Sequence, residues 1–441
     1  MSKQEKISKI ILTLIMTALI ALLAIGCGSS SGQGKGGSVS ESDTQQSQEV
    51  DGSQEGQTAV SSDDESSADE ELADPGSSEG QSADSGTDGS GQAPVLQGLT
   101  YESTLEKSYA ECFDVYFYQD GYKLFTIKNG GSFLLVPEGK EAPADLPEDI
   151  TPLMAPVGNI YLAATAQMAL FSSMNGMDSL RFTSLKQDGW TFDSIKEKMD
   201  AGDILYAGKY SEPDYEMLLE EDCGLAIEST MINHTPEIKE MLEDLDIPVL
   251  VDRSSYESNP LGRMEWIRFY GQLIGHSDEA DAFFEEQKTK VAELDDFANT
   301  EKTVAFFYIS SDGKAVVRSS KDYIPTMIEM AGARYIFKDL ADETGKANIP
   351  MTIEKFYDVA ADADYIVYNA SIDSQVNSMR ALKEKDPILS EFKAVKEGRC
   401  FSTGSSMYQR TDIAGDMIMD FHTLFTEENP EGKLKYLTKL E

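Results

Sequence analysis

From Asn159 onward the chain alternates short apolar strands with amphipathic helices, and the alternation is interrupted once. Asn159–Ala164, Leu180–Leu185, Asp203–Gly208, Gly224–Ile227 and Ile247–Val251 read as strands. The helices between them fall at Gln167–Met174, Phe192–Met199, Pro213–Glu220 and Glu237–Leu245. Ser211 is placed to cap the third of these, with Pro213 in its first turn. Strands separated by helices imply a parallel sheet covered on both faces. Two helices then follow one another directly, Leu261–Ile274 and Asp278 to Phe297. About 20 residues at 1.5 Å each make the second roughly 30 Å long, the width of a lobe. The alternation then restarts, with strands at Val304–Ile309, Ala315–Arg318, Tyr365–Tyr368 and Cys400–Ser402. Its helices are Tyr323–Met330, Ile353–Ala360, Leu389–Val395 and Ile413–Phe425. The expected fold class is α/β: one lobe over 159–260, connecting helices over 261–300 and a second lobe over 301–441.

Ahead of the first lobe, 98–158 reads differently. Runs of alternating polarity are joined by Asp120-Gly121 and Asn129-Gly130, both strong hairpin signals, so an antiparallel β appendage is expected. The folded part, about 340 residues, exceeds what one core supports, which agrees with two lobes.

Residues 28–97 are Ser, Gly, Gln, Asp and Glu, with a single basic residue (Lys35) and no aromatic one. Such a composition cannot bury enough apolar surface to offset chain entropy, and a disordered acidic linker is expected. Residues 1–27 have the layout of a secretory signal: Lys3, Lys6 and Lys9, then an apolar run from Ile10 to Ile25, then Gly26-Cys27. A cut before a cysteine resembles a bacterial lipoprotein signal, which implies lipidation of Cys27 and an anchor on the outer face of the cytoplasmic membrane. The formal net charge of −41 argues against nucleic acid and against anionic lipid surfaces as partners. Cys112, Cys223 and Cys400 remain in the mature chain, an odd number without zinc-site spacing.

The lobe–helix–lobe order is similar to that of the substrate-binding proteins of ABC importers for iron-siderophore complexes, haem and cobalamin. The likeness is carried by Gly208-Lys209-Tyr210-Ser211-Glu212-Pro213-Asp214-Tyr215-Glu216, Glu228-Ser229-Thr230 and Pro260-Leu261-Gly262-Arg263-Met264-Glu265-Trp266-Ile267. Thr352-Ile353-Glu354-Lys355-Phe356 and Ala363-Asp364-Tyr365-Ile366-Val367 carry it in the second lobe. The resemblance spans 159–425 and implies two Rossmann-like lobes joined by one long rigid helix, with a ligand in the cleft between them. It implies an ABC permease and its ATPase as partners, a monomer, and Glu216 and Glu354 as docking pegs for the permease.

Ligands of open α/β sheets gather beyond the carboxyl ends of the strands. In the first lobe that selects Lys186, Lys209, Tyr210, Glu228, Ser229, Thr230 and Arg253. In the second it selects Tyr308, Arg318, Asn369, Tyr408, Gln409 and Arg410. Aromatic faces suit a bulky organic ligand, and cations suit its carboxylates or catecholates. The expected cargo is a chelated iron complex, most simply an iron-siderophore, with cobalamin or haem as the alternative and no resident cofactor. Only His234, His276 and His422 are present, and they are far apart in the sequence, which disfavours direct capture of a bare metal ion. The folded part has no nucleophile elbow, P-loop or dinucleotide fingerprint, so no catalysis is expected. The competing class is a surface adhesion lipoprotein, which would show a broad exposed apolar patch.

Overall fold

The computed structural model describes residues 93–342, 346–405 and 407–441. The signal-like segment, Cys27 and nearly all of the acidic linker lie outside the described residues.

The N-terminal sheet has the order β1 (Tyr101–Thr104), β2 (Phe113–Tyr118), β3 (Lys123–Ile127), β4 (Gly131–Val136), β5 (Ile150–Met154). The first four strands are antiparallel, as expected, but β5 runs parallel to β4. The proline-rich stretch between them is long enough, at about a dozen residues, to return the chain to the starting end. Alternation along the strands gives the sheet two apolar faces. Phe113, Val115, Phe125 and Phe133 face the main core, while Tyr118, Leu124, Leu134 and Val136 form a second cluster. Leu96 is buried in that second cluster, and the Tyr118 hydroxyl donates to the Pro94 carbonyl at 2.6 Å. Residues 94–97, assigned to the linker from composition, therefore belong to the folded body; one leucine and one backbone carbonyl hold them there.

The first lobe contains β6 (Ile160–Leu162), β7 (Leu180–Thr183), β8 (Leu205–Tyr206), β9 (Gly208–Lys209), β10 (Glu212–Pro213), β11 (Leu225–Glu228) and β12 (Val249–Val251). Its main sheet has the order β12-β11-β6-β7-β8 and is wholly parallel, and β9 and β10 form a separate hairpin. The helices are α1 (Met168–Ser173), α2 (Asp193–Asp200), α3 (Tyr215–Glu220) and α4 (Pro236–Asp244). α3 starts later than expected: Pro213 is held in β10, and the cap is Asp214, whose carboxylate accepts from the Met217 amide at 3.0 Å, not Ser211.

The two successive helices expected from the sequence are present as α5 (Pro260–Ile274) and α6 (Ser277–Ala292), in place of the single long helix that the resemblance implied. Gly275, at a φ of 83°, turns the chain back, and Arg268 reaches Asp281 across the pair at 2.6 Å. α6 stops at Ala292 and does not continue to Phe297. The strut is thus a short two-helix hairpin. Trp266 and Phe269 of α5 pack edge-on against Phe113, and Phe269 also against Phe125, joining the N-terminal sheet to the strut.

The same junction holds two buried carboxylates. Glu265 accepts the amides of Ser108, Tyr109 and Ala110, each at 2.8 Å, and Glu257 accepts those of Glu111 and Cys112 at 2.9 Å. Five consecutive backbone donors are satisfied this way, and the charges are compensated by what they bind. The sheet is therefore fastened to the strut and is not a loose appendage.

The second lobe contains β13 (Thr303–Ile309), β14 (Ala315–Arg318), β15 (Arg334–Tyr335), β16 (Asn348–Met351), β17 (Tyr365–Tyr368), β18 (Cys400–Ser402) and β19 (Thr438–Lys439). Its order is β16-β14-β13-β17-β18-β19, with β15 also on β13, and it is mixed. β13, β17 and β18 are parallel, whereas β14, β16 and β19 run against their neighbours. The Ser311–Lys314 turn explains the departure from a parallel sheet, since a tight turn returns the chain antiparallel. The helices are α7 (Tyr323–Met330), α8 (Ile353–Ala360), α9 (Met379–Lys385), α10 (Lys393–Lys396) and α11 (Ala414–Thr426). The helix expected over Leu389–Val395 is a 3-10 turn, Pro387–Glu391, followed by α10. Cys112, Cys223 and Cys400 are free thiols.

Candidate functional site

Just beyond the carboxyl end of β17, and beside the end of the antiparallel β14, a set of polar side chains converges. The Asn369 amide donates to the Tyr408 hydroxyl at 2.6 Å. Arg318 makes a two-pronged pair with Asp322, at 2.9 and 2.6 Å, and donates to Asn348 at 2.5 Å. Burial pushes the Tyr408 phenol up, opposed by the neighbouring Arg318 charge. The structure thus brings Arg318, Asn369 and Tyr408 together. It also changes the role of Arg318, which is buried and fixed on its carboxylate; the pairing keeps it fully charged despite burial.

The first lobe meets this cluster through a residue that sequence reasoning quoted but did not select. Arg263 lies in the first turn of α5 and stacks on the Tyr323 ring at 3.9 Å. It donates to the Ser254 and Ser255 carbonyls at 3.2 and 2.9 Å. A cation at a helix N-terminus opposes the macrodipole, and that signal was visible in the sequence. Arg253, one element earlier, stacks on Tyr256, also at 3.9 Å.

These two arginines are exceptional here. The chain has nine arginines, and seven of them lie within ion-pair distance of a carboxylate. Among the described residues Arg253 and Arg263 have none, in a protein where acids outnumber bases by 78 to 37. They flank the loop from β12 into α5.

Buried polar atoms without a hydrogen-bond partner among the described residues include His276 Nδ1 and Gln287 Oε1 in the strut and four in segments that follow strands. Gln167 Oε1 follows β6, Trp190 Nε1 follows β7, Arg253 Nε follows β12 and Asn369 Oδ1 follows β17.

The remaining selected residues are not brought to one point. The sheet order places β12 and β8 at opposite edges, four strand spacings or about 19 Å apart. Lys186, over the Tyr206 ring at 5.9 Å, and Lys209-Tyr210, at the tip of the β9–β10 hairpin, therefore stand toward the opposite edge of the first-lobe sheet from Arg253. Glu228 is fully buried and belongs to the lobe interior, not to its rim. There burial, and then its charge, raise the Tyr161 phenol and push the Tyr215 phenol up to about 12. Ser229 caps the turn after β11 by accepting from the Met231 amide at 3.3 Å, and Thr230 is buried behind it. Tyr308 is half-buried on β13.

Gln409 and Arg410 bind protein rather than pointing into an open cleft. Gln409 accepts from the Thr191 amide and hydroxyl at 2.9 and 2.8 Å and donates to the Gly189 carbonyl at 2.8 Å. Arg410 pairs with Asp412 at 2.7 Å and lies 5.7 Å from the Phe192 ring. Thr411 adds a bond to the Ala166 carbonyl at 2.9 Å. This segment of the second lobe fastens onto the first, and its sequence gave no sign of the partners because they lie more than 200 residues away.

Glu216 and Glu354 are exposed in the first turns of α3 and α8. Neither has an ion-pair partner among the described residues. No group of three or more His, Cys, Asp or Glu among the described residues is arranged to hold a metal ion, and no described helix is long and apolar enough to cross a membrane.

The sequence profile of the periplasmic binding protein family matches residues 185–407. The chain belongs to that family. Membership makes it a substrate-binding protein, and the expected class, two α/β lobes about a helical link, is the one observed. The match leaves out the N-terminal sheet. An uncharacterized lipoprotein of Methanocaldococcus jannaschii is 27% identical over 329 residues, covering 71% of this chain and 76% of the relative. The periplasmic haem-binding protein of Vibrio cholerae is 17% identical with a TM-score of 0.49, covering 60% of this chain and 98% of that one. A protein described as an ABC-type Fe3+-hydroxamate transport system, from Saccharomonospora viridis, is 17% identical with a TM-score of 0.46, over 60% and 92%.

Proposed function

We propose that this protein is the lipid-anchored solute-binding subunit of an ABC importer, and that it captures an anionic iron chelate of the siderophore type between its lobes. One observation carries the reading. In a chain this acidic, Arg253 and Arg263 are stacked on tyrosines, and among the described residues neither lies within ion-pair distance of a carboxylate. Guanidinium groups recognise carboxylates and catecholates through paired hydrogen bonds, and stacking holds the fork in orientation. The chelator keeps its iron, since the site offers cations and neutral hydroxyls in place of a metal-ligand set.

Glu216 and Glu354 are the proposed contacts to the permease, one exposed carboxylate on each lobe. Separate charges on a rigid body fix register and steer encounter. Cys27 is the proposed anchor, in keeping with a relative that is named a lipoprotein.

Fluorescence titration of the soluble domain against a ferric tris-catecholate, a ferric trihydroxamate, haemin and cobalamin tests the reading. Quenching by an iron chelate is expected, because Tyr256, Tyr323 and Tyr408 surround the two arginines and Arg318. Saturation by haemin or cobalamin alone replaces the cargo and keeps the import role; no response to any probe overturns both. Charge reversal at Glu216 and Glu354 together is expected to leave affinity intact and to stop uptake in cells.

A further inference from the structure

We infer that the N-terminal sheet, which lies outside the region matched by the family, forms one side of the ligand site and selects for anionic chelates through Lys128. The inference rests on the proposed binding role and adds a structural element to it.

The β3–β4 turn carries Lys128-Asn129-Gly130 and abuts the end of β12. A Cβ placed on Gly130 would lie 3.1 Å from the Val251 carbonyl oxygen, so the backbone of the turn touches the last residue of that strand. Arg253 is two residues further on. The contact is also fixed from the other side. Glu257, in the loop that carries Arg253, accepts the amides of Glu111 and Cys112 at 2.9 Å, and the Lys128 amide donates to the Cys112 carbonyl at 2.9 Å. Sheet and loop therefore form one unit.

Lys128 and Arg253 both act electrostatically on the Cys112 thiol, which places the two cations around one buried sulfur. Lys128 is exposed, and among the described residues neither cation has a carboxylate in ion-pair range. The Glu257 charge nearby is already engaged by two amides and by the Trp266 indole at 3.1 Å. The net result is a pair of cations at the β12 edge of the first lobe, one of them supplied by the sheet. A ligand with several negative charges gains from both cations, and a neutral one gains from neither.

The test uses the whole folded domain. Lys128→Glu is expected to weaken a ferric tris-catecholate about tenfold at low ionic strength, with the difference shrinking at high salt, as screening predicts. Lys128→Arg is expected to bind as wild type, and a neutral ferric trihydroxamate to be unaffected by either change. If Lys128→Glu binds the tris-catecholate like wild type while Arg253→Ala with Arg263→Ala does not, the sheet is no part of the site although the binding role stands. If wild type binds only the neutral probes, the selectivity falls; if it binds none, the role and the inference fall together.

Discussion

The second lobe and the segment from β12 into α5 deploy the same residue type in opposite ways. On the second lobe Arg318 and Arg410 each hold a carboxylate through two prongs, Asp322 and Asp412. Arg253, in the first lobe, rests on the Tyr256 ring, and Arg263, in the strut, rests on Tyr323 of the second lobe and donates to the Ser254 and Ser255 carbonyls. A guanidinium locked in a two-pronged ion pair stiffens its surroundings, whereas one outside ion-pair distance of a carboxylate keeps donors for another anion. The two sets look alike in the sequence.

The largest effect that would break this comparison comes from Arg318→Ala. Its side chain and that of Asp322 are 8% and 6% exposed, so removal strands a buried carboxylate. A loss of about 3–5 kcal/mol in unfolding free energy is expected, read from the denaturant midpoint. Arg263→Ala gives up two bonds to carbonyls and one stacking contact, which is worth about 1–2 kcal/mol, but it should remove most of the chelate affinity. If Arg318→Ala were stable and merely failed to bind, the two lobes would not differ in the way described.

A smaller effect sharpens the same contrast. Gln409→Ala removes three bonds that hold the second lobe to Gly189 and Thr191. The bonds are solvent-accessible, so the stability change should stay near 1 kcal/mol. Hydrogen exchange at the Thr191 amide should quicken, while the Asn369–Tyr408 cluster stays protected. Unchanged exchange would mean that the lobes are held elsewhere.

Much of this fold was legible in the sequence because apolar periodicity is a local property. α7, α8, β14, β17 and β18 occupy the residues their periodicity marks. The edges were not legible. β16 contains Pro350, and β19 has only two residues, so neither carries a strand signal of its own; each is a strand because a neighbour offers it an edge. The site divides the same way. Residues at strand ends could be picked from topology, which selected Asn369 and Tyr408, and these two side chains meet. What each one touches could not, because the partners of Arg318, Gln409 and Glu228 are set by tertiary contacts. The clamp of Glu257 and Glu265 on five amides was equally hidden, since backbone donors have no sequence signature.

The smallest expected effect concerns how the lobes respond to acid, and the two should respond with opposite sign. In the first lobe burial pushes the Asp252 carboxyl up, against the bonds it accepts from Ser254 and Tyr270. The folded state then binds this proton more tightly than the unfolded chain does. Asp252 thus disfavours folding at neutral pH, and the penalty is relieved as pH falls through its raised pKa, above the ordinary 3.8. In the second lobe burial acts on Asp364 and Asp416 too, but Lys393 and Thr303 hold the first, and Lys290 and Lys435 the second, below that value. Their contribution is present above about pH 4 and is lost as pH falls through the lowered pKa values. Asp252→Asn mimics the protonated acid, and its amide can face the Tyr270 hydroxyl, which also accepts. It should therefore raise stability at pH 7, with a gain that fades on acidification. Asp364→Asn should lower stability at pH 7, with a loss that fades only at more acidic pH. Equilibrium unfolding of both variants across pH 3–7 decides the matter: changes of the same sign would show that the buried acids of the two lobes are held alike, and the contrast would then be confined to the arginines.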